Sequence, residues 1–252
     1  MAKKRFLADL HIHSCLSPCS ELDMTPRAIV NKAIEQGIDI IAITDHNSMR
    51  NVPAAIAAAS GTRLTVLTGM EITTCEEIHI LALFDSNNFN NDFNEIIYSN
   101  LPDIKNNVEH FGYQIVVNCD DEVIEFVPRL LISSIMIELE PVLGLIHKFN
   151  GIAIPAHIDK EQFSIISQIG FIPEGLKVEA LEVSRNTSEE EKIILSKKYQ
   201  RPIVSFSDAH FLSDFGSNLS ELYLEAPTFD EIKKKLTHKL RAGAGVPEGT
   251  CS

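Results

Sequence analysis

Short β-branched runs return along this chain at intervals filled by stretches of helical periodicity, and that alternation limits the possible folds more than any other feature. KRFLADL, IDIIAIT, RLTVLTGMEI, EIHILALF, GIAIPAH, ALEVS, PIVSFSD and ELYLEA read as strands. Between them MTPRAIVNKAIEQG reads as a helix, with Thr25 as N-cap, Pro26 in the first turn and Gly37 as the stop. NVPAAIAAASG, EQFSIISQIG and FDEIKKKLTHKLR are further helices. Ser188 and Glu191 are spaced as a capping box for another, and Thr228 and Glu231 repeat that spacing. Strands alternating with helices predict an α/β fold of parallel strands joined by crossover helices.

The rhythm breaks between Asp85 and Pro141. An Asn-rich segment and a helix-like run lead there into QIVVNCDDEVIEF, which reads as a hairpin turning at Cys119, Asp120 and Asp121. This segment, 85–141, is expected to be an elaboration on one domain spanning 1–241, followed by a Gly-rich, flexible tail at 242–252. A length of 252 residues suits one large domain. With 22 Lys+Arg against 35 Asp+Glu, the net charge of −13 argues against a surface for duplex nucleic acid but leaves a small anion held by cations open. No apolar run suggests a signal peptide or membrane span, so a cytoplasmic location is expected; the oligomeric state is left open. Five cysteines, an odd count, argue for reduced thiols.

In a barrel of parallel strands chemistry gathers at the C-terminal strand ends, where loops vary above a packed core. His11 and His13 follow the first strand, Asp45 and His46 the second, Glu71 the third, His157 follows GIAIPA, and Asp208 and His210 follow PIVSFS. His79 lies at or inside the start of the fourth strand. Six of the nine histidines thus occupy such places, whereas His110, His147 and His238 read as surface residues. Taken singly each motif has a plain structural reading: same-face strand residues, a turn cap, a surface acid. Together, imidazoles and carboxylates buried at one mouth would each cost about 1–3 kcal/mol if unsatisfied, and metal cations remove that cost.

The motifs HIHS (11–14), TDHN (44–47), GMEI (69–72), HIL (79–81), PAH (155–157) and SDAH (207–210) resemble, in order, those of the PHP family, named for polymerase and histidinol phosphatase members. The resemblance implies a distorted (β/α)7 TIM-like barrel and two or three divalent ions of zinc, manganese or iron. It implies one ion on His11, His13, Glu71 and Asp208, a second on Glu71, His79 and His157, and a third on His46 and His210. The family often has an acid or histidine a few residues beyond the second histidine; here Pro18 and Cys19 stand there. Cys19 as a thiolate, which would favour zinc, or Glu21 would complete the third site.

The function so implied is metal-dependent hydrolysis of phosphate esters: a small phosphorylated metabolite, a nucleotide or the end of a short oligonucleotide. Two cations sharing a carboxylate would acidify a common water, the nucleophile. Asp208 is a candidate for the proton, and Asp45 for orienting an imidazole or, more simply, capping a turn. Lys160, Arg185 and Arg129 are candidates for binding the phosphate, each equally readable as surface charge. Two other readings stay open. Amidohydrolase-like C–N hydrolysis predicts a metal-bridging lysine, in the place Glu71 fills here; a non-catalytic domain that stabilises a partner predicts lost ligands.

Overall fold

The computed structural model describes residues 2–87 and 91–237; the tail expected at 242–252, and His238, lie outside the described residues. Strand β1 (Lys4–Ile12) pairs in parallel with β2 (Ile40–Ile43), and β2 with β3 (Thr65–Thr73). Helix α1 (Pro26–Gln36) makes the first crossover, and its ends are those the sequence calls for. The Thr25 hydroxyl accepts from the Ala28 N–H, and Gly37 closes the helix at φ 70°, a left-handed conformation that glycine adopts without strain. Helix α2 (Val52–Ala58) makes the second.

The next strand departs from the expected parallel pattern. β4 (His79–Phe84) runs antiparallel to β3, with Thr73 opposite His79. The reason lies in the connection: only Thr74 to Ile78 separate the two strands, closed by a Thr74 N–H to Ile78 C=O bond of 2.9 Å, with Glu77 at φ 62°. A crossover helix needs a dozen residues or so, and a link this short allows only a hairpin.

The elaboration follows, with α3 (Asn91–Ser99), α4 (Val108–Phe111) and the antiparallel hairpin of β5 (Ile115–Val117) and β6 (Val123–Phe126). It is tied to the strand-end loops: Ile115 N–H donates to the Cys15 carbonyl at 3.0 Å, and the Asn47 amide donates to the carbonyls of Leu131 and Ser133 at 2.8 and 2.9 Å.

Helix α5 (Leu139–Lys148) then leads to β7 (Ile152–Pro155), antiparallel to β4 and so aligned with the first three strands. The sequence places a helix from Glu161, but α6 spans only Ile165–Ile169, because Ser164 and Ser167 cap each other there. β8 (Leu181–Glu182) and β9 (Ile203–Val204) form a separate parallel pair joined by α7 (Glu189–Tyr199), whose Ser188–Glu191 capping box is complete. β10 (Ser220–Leu224) runs antiparallel to β1, and α8 (Phe229–Thr237) follows. The second capping box is only half formed: the Thr228 hydroxyl accepts from Glu231 N–H, while the Glu231 carboxylate turns to Glu225 N–H.

Among the described residues the main sheet therefore runs β10-β1-β2-β3-β4-β7, six strands of which β4 and β10 are reversed, in place of a ring of seven parallel strands. It curls, and the β8–β9 pair flanks it: Ile158 N–H donates to the Glu182 carbonyl at 2.8 Å, and His13 N–H to the Ala209 carbonyl at 3.0 Å. Alternate residues fill two cores. Leu10, Ile40, Leu67, Leu81, Ile152, Val204 and Phe206 pack together, with Phe229 and Ile232 of α8 beside them. On the other face Ile41, Ile43, Met70 and Ile80 pack against Ile29 and Val30 of α1. Gly69 lets β3 lie close against β2, since a Cβ there would lie 2.8 Å from the Ile43 carbonyl oxygen. No helix among the described residues is long and apolar enough to cross a membrane.

Candidate metal centre

Strand periodicity builds the site. Glu71 lies two residues beyond Gly69 and four beyond Leu67, on the face that carries the inner core; His79 shares a face with Leu81 and Leu83. Because β4 is reversed, its beginning meets the end of β3, which places His79 at the same mouth as Glu71. His157 and Asp208 leave their strands with φ of 30° and 50°. A histidine and an aspartate in the left-handed region are strained, a feature that gathers at functional sites.

Glu71 is the hub. Five imidazoles come within 3.4 Å of its carboxylate: His79 Nδ1 at 2.8 Å, His13 Nε2 at 3.2 Å, His11 Nε2 and His46 Nδ1 at 3.3 Å, and His157 Nε2 at 3.4 Å. Asp208 Oδ1 lies 3.3 Å from His11 Nε2 and 3.5 Å from His13 Nε2, while His210 Nδ1 is 2.8 Å from the Asp208 carbonyl. All of these except Asp208 and His210 are buried.

Several of these close approaches are not hydrogen bonds. Glu71 Oε1 and the Nδ1 atoms of His46 and His79 are buried without a hydrogen-bond partner, although oxygen and nitrogen lie within 2.8–3.3 Å. Buried donor and acceptor atoms that crowd together without pairing are left unsatisfied, a cost that a shared cation would remove. The ligand atoms of His11, His13 and Asp208 lie within 4.8 Å of one another, as do those of His46, Glu71 and His79, and those of His13, Cys19, His46 and His210. These sets are compatible with divalent metals. At the third grouping the structure brings in the Cys19 thiol; Glu21 meets it only through its backbone, donating N–H to the His210 carbonyl at 3.0 Å.

The electrostatics follow from burial and mutual contact. Despite burial, which opposes it, the imidazoles of His79 and His11 hold Glu71 well below the usual carboxylate range. Burial likewise works against Asp208, but His11 and His13 keep it well below its ordinary value. Burial lowers His46 far below the ordinary imidazole value and His210 to about 4. Against the same penalty, the Asp208 and Glu71 hydrogen bonds raise His13 to about 9. The metal-free centre is thus a mixture of charged and neutral imidazoles around two carboxylates.

Glu182 was not singled out by the sequence. It is 2 % exposed, both its oxygens lie 3.0 Å from His11 Nδ1, and it accepts from His157 N–H at 3.1 Å. An acid closing the apolar strand ALEVS was the available signal. Ser17 was missed as well: its hydroxyl donates to Asp45 at 2.7 Å, accepts from His46 N–H at 3.2 Å and lies 3.0 Å from His13 Nδ1. Asp45 itself is 1 % exposed and is taken up by Ser14 and Ser17, so it reaches His13 through a hydroxyl and does not face the cavity.

Lys160 Nζ lies 2.5 Å from Asp208 Oδ2, and Arg185 lies 3.5 Å from Asp214. Both line a cavity of about 320 Å3 with His157, Glu182, Asp208 and His210. Arg129 is not brought there; it donates to the carbonyls of Tyr98 and Leu101 within the elaboration and stacks on Tyr98.

Known proteins share this fold. The model of the PHP domain matches residues 9–207. The 5'-3' exoribonuclease Rnm of Salmonella typhimurium is 38 % identical over 80 residues, which is 30 % of this chain and 26 % of the relative. The match thus spans about a quarter of that relative's length. Among solved structures, the lesion-specific endonuclease Q of Pyrococcus furiosus superposes with a TM-score of 0.65 at 17 % identity, over 93 % of this chain and 56 % of that one. A two-domain protein of Bacteroides vulgatus containing a predicted PHP-like metal-dependent phosphoesterase superposes with a TM-score of 0.57 at 16 % identity, over 93 % and 63 % of the two chains. At such identities the superpositions speak for the fold, and the match over residues 9–207 for the family: the chain belongs to the PHP domain family.

Proposed function

We propose that the protein is a metal-dependent hydrolase of phosphate esters, acting on a small phosphorylated metabolite, a nucleotide or an oligonucleotide end. The observation that carries this reading is the convergence of five imidazoles on Glu71 beside a cavity lined by Lys160 and Arg185. One carboxylate cannot pair with five imidazoles, whereas two or three cations can share them, and the flanking cations suit a phosphate's remaining charge.

His11, His13, Glu71 and Asp208 would hold one ion, Glu71, His79 and His157 a second, and Cys19, His46 and His210 a third. Divalent cations bound there supply Lewis acidity, both to activate water and to neutralise phosphoryl oxygens. The chain's own residues do the rest. Glu182 fixes the His11 ring so that Nε2 faces inward, and Ser17, held by Asp45, does the same for His13. Asp208, kept ionised, acts by charge and as an anchor for Lys160 rather than as a proton donor. Lys160 and Arg185 orient the phosphate in line with the attacking water. Glu71 stands where C–N hydrolysis on this architecture would want a lysine, and Lys160 is engaged with Asp208, so phosphate chemistry is the better fit.

The test is a hydrolysis screen on protein reconstituted separately with manganese, zinc and iron, against phospho-sugars, histidinol phosphate, nucleoside monophosphates and short RNA. Release of phosphate or nucleotide with at least one metal supports the reading. Amide hydrolysis alone, or inertness at full metal occupancy, overturns it.

A further inference from the structure

A second cavity, of about 240 Å3, adjoins the first and shares His157, Lys160, Asp208 and His210 with it. His46, Glu71 and His79 also line it, and Ile132, Gln162 and Phe163 form a part of its wall that the first cavity lacks. Phe163 is unusual on three counts. Its backbone sits at φ 58°, in the left-handed region that a bulky aromatic residue seldom occupies. Its carbonyl accepts from His79 N–H at 2.9 Å. Its ring lies flat over the His79 imidazole, with centroids 4.7 Å apart and planes at 13°. One face is therefore covered, yet the residue remains 37 % exposed in a cavity whose lining, Ile132 and Cys19 apart, is otherwise charged or polar.

A phosphate or a metal has no use for an aromatic wall, and an exposed apolar ring costs hydration that the fold could avoid with a small residue. What such a ring offers, beside an ester-cleaving centre, is a flat π-surface for a flat π-system. We infer that Phe163 is the stacking platform for an unpaired nucleobase, with the Gln162 amide beside it to meet the base edge. The proposal rests on the phosphate-ester reading and narrows it: the substrate is a nucleotide or a single-stranded nucleotide end, not a phosphorylated sugar. The strained backbone fits that role, since it aims the ring at the cavity while its carbonyl holds β4 at its first residue. A ring that merely shielded His79 would affect all phosphate ligands alike. A platform affects only those that carry a base.

Binding of hydrolysis-resistant methylenephosphonate analogues separates the two. Calorimetry on manganese-loaded protein would compare the analogue of adenosine 5'-monophosphate with that of ribose 5-phosphate, in wild type, Phe163→Leu and Phe163→Tyr. Base–aromatic stacking corresponds to roughly 5- to 150-fold in affinity. The expectation is a preference of at least about tenfold for the adenosine analogue, retained by Phe163→Tyr and lost in Phe163→Leu, with the ribose analogue's Kd moving less than about twofold. Equal wild-type affinity for both analogues, or a preference that survives Phe163→Leu, overturns the inference and leaves phosphate binding standing. Binding of neither analogue overturns the phosphate-ester reading together with it.

Discussion

Both oxygens of Glu182 lie 3.0 Å from Nδ1 of His11, which leaves Nε2 as the atom that faces Glu71 and Asp208. A carboxylate behind a metal-binding imidazole fixes its tautomer and raises its basicity. Glu182→Gln is therefore expected to weaken metal binding roughly 10- to 100-fold with little change in fold. Chelator competition measures the affinity, and circular dichroism checks the fold. Unchanged affinity would remove Glu182 from the account.

Asp45 holds three donors, from Ser14 N–H, Ser14 Oγ and Ser17 Oγ, at 2.7, 2.5 and 2.7 Å, in a fully buried pocket. Replacing it with alanine strands those groups, at about 1–3 kcal/mol for each one left unsatisfied. Urea denaturation of the metal-free Asp45→Ala protein should show a loss of about 3 kcal/mol or more. Ser17→Ala, which removes one of the three donors to Asp45 together with the link to His13 and the His46 N–H, should cost less stability and still weaken metal binding.

His13 gives metal binding a pH dependence. Burial pulls its pKa down, but its bonds to Asp208 and Glu71 prevail and lift it to about 9. In the metal-free protein the stabilisation from charged His13 is full below its unfolded value of about 6.5 and disappears as pH rises through about 9. Below that pH a metal must displace the proton. Affinity should then climb with pH between about 7 and 9, by up to tenfold per unit for one proton released. Calorimetry in buffers of different ionisation enthalpy counts the protons; a flat profile would contradict the assignment.

Asp159 ties the loop after β7 to the loop after β8: it accepts from Ser184 N–H at 2.8 Å, Ser184 Oγ at 2.6 Å and Thr187 Oγ1 at 2.7 Å, on either side of Arg185. Despite partial burial, these bonds keep its carboxyl below the usual value. Asp159→Ala should loosen Arg185 and raise KM for a phosphate ester several-fold with kcat little changed, whereas Arg185→Ala should raise KM by roughly tenfold or more. Steady-state kinetics on both variants distinguishes a positioning role from direct contact.

Much of this centre is legible in the sequence, for identifiable reasons. His11, His46 and Glu71 announce themselves because each is a polar residue at the end of an apolar strand, and Thr25 and Gly37 bound α1 by local chemistry alone. What escapes depends on relations between distant segments. The reversal of β4 follows from a short connection, not from its composition, and without it His79 lies at the wrong end of its strand. Glu182 acts by touching an imidazole that the fold delivers, that of His11, 171 positions away, and Ser17 is set against His13 by Asp45 and the His46 N–H, 28 and 29 positions on. Arg129 fails as a phosphate ligand because the carbonyls of Tyr98 and Leu101 claim it, inside a segment whose path periodicity does not describe.

Dependence of hydrolysis on metal ions shared through Glu71 is measured by titrating manganese into metal-free protein while following phosphate release from an ester found in the screen. Activity should be absent without metal, rise with each equivalent and level off only at two or more, and Glu71→Gln should stay near background throughout. Full turnover without added metal in the presence of chelator, or undiminished turnover in Glu71→Gln, would contradict it.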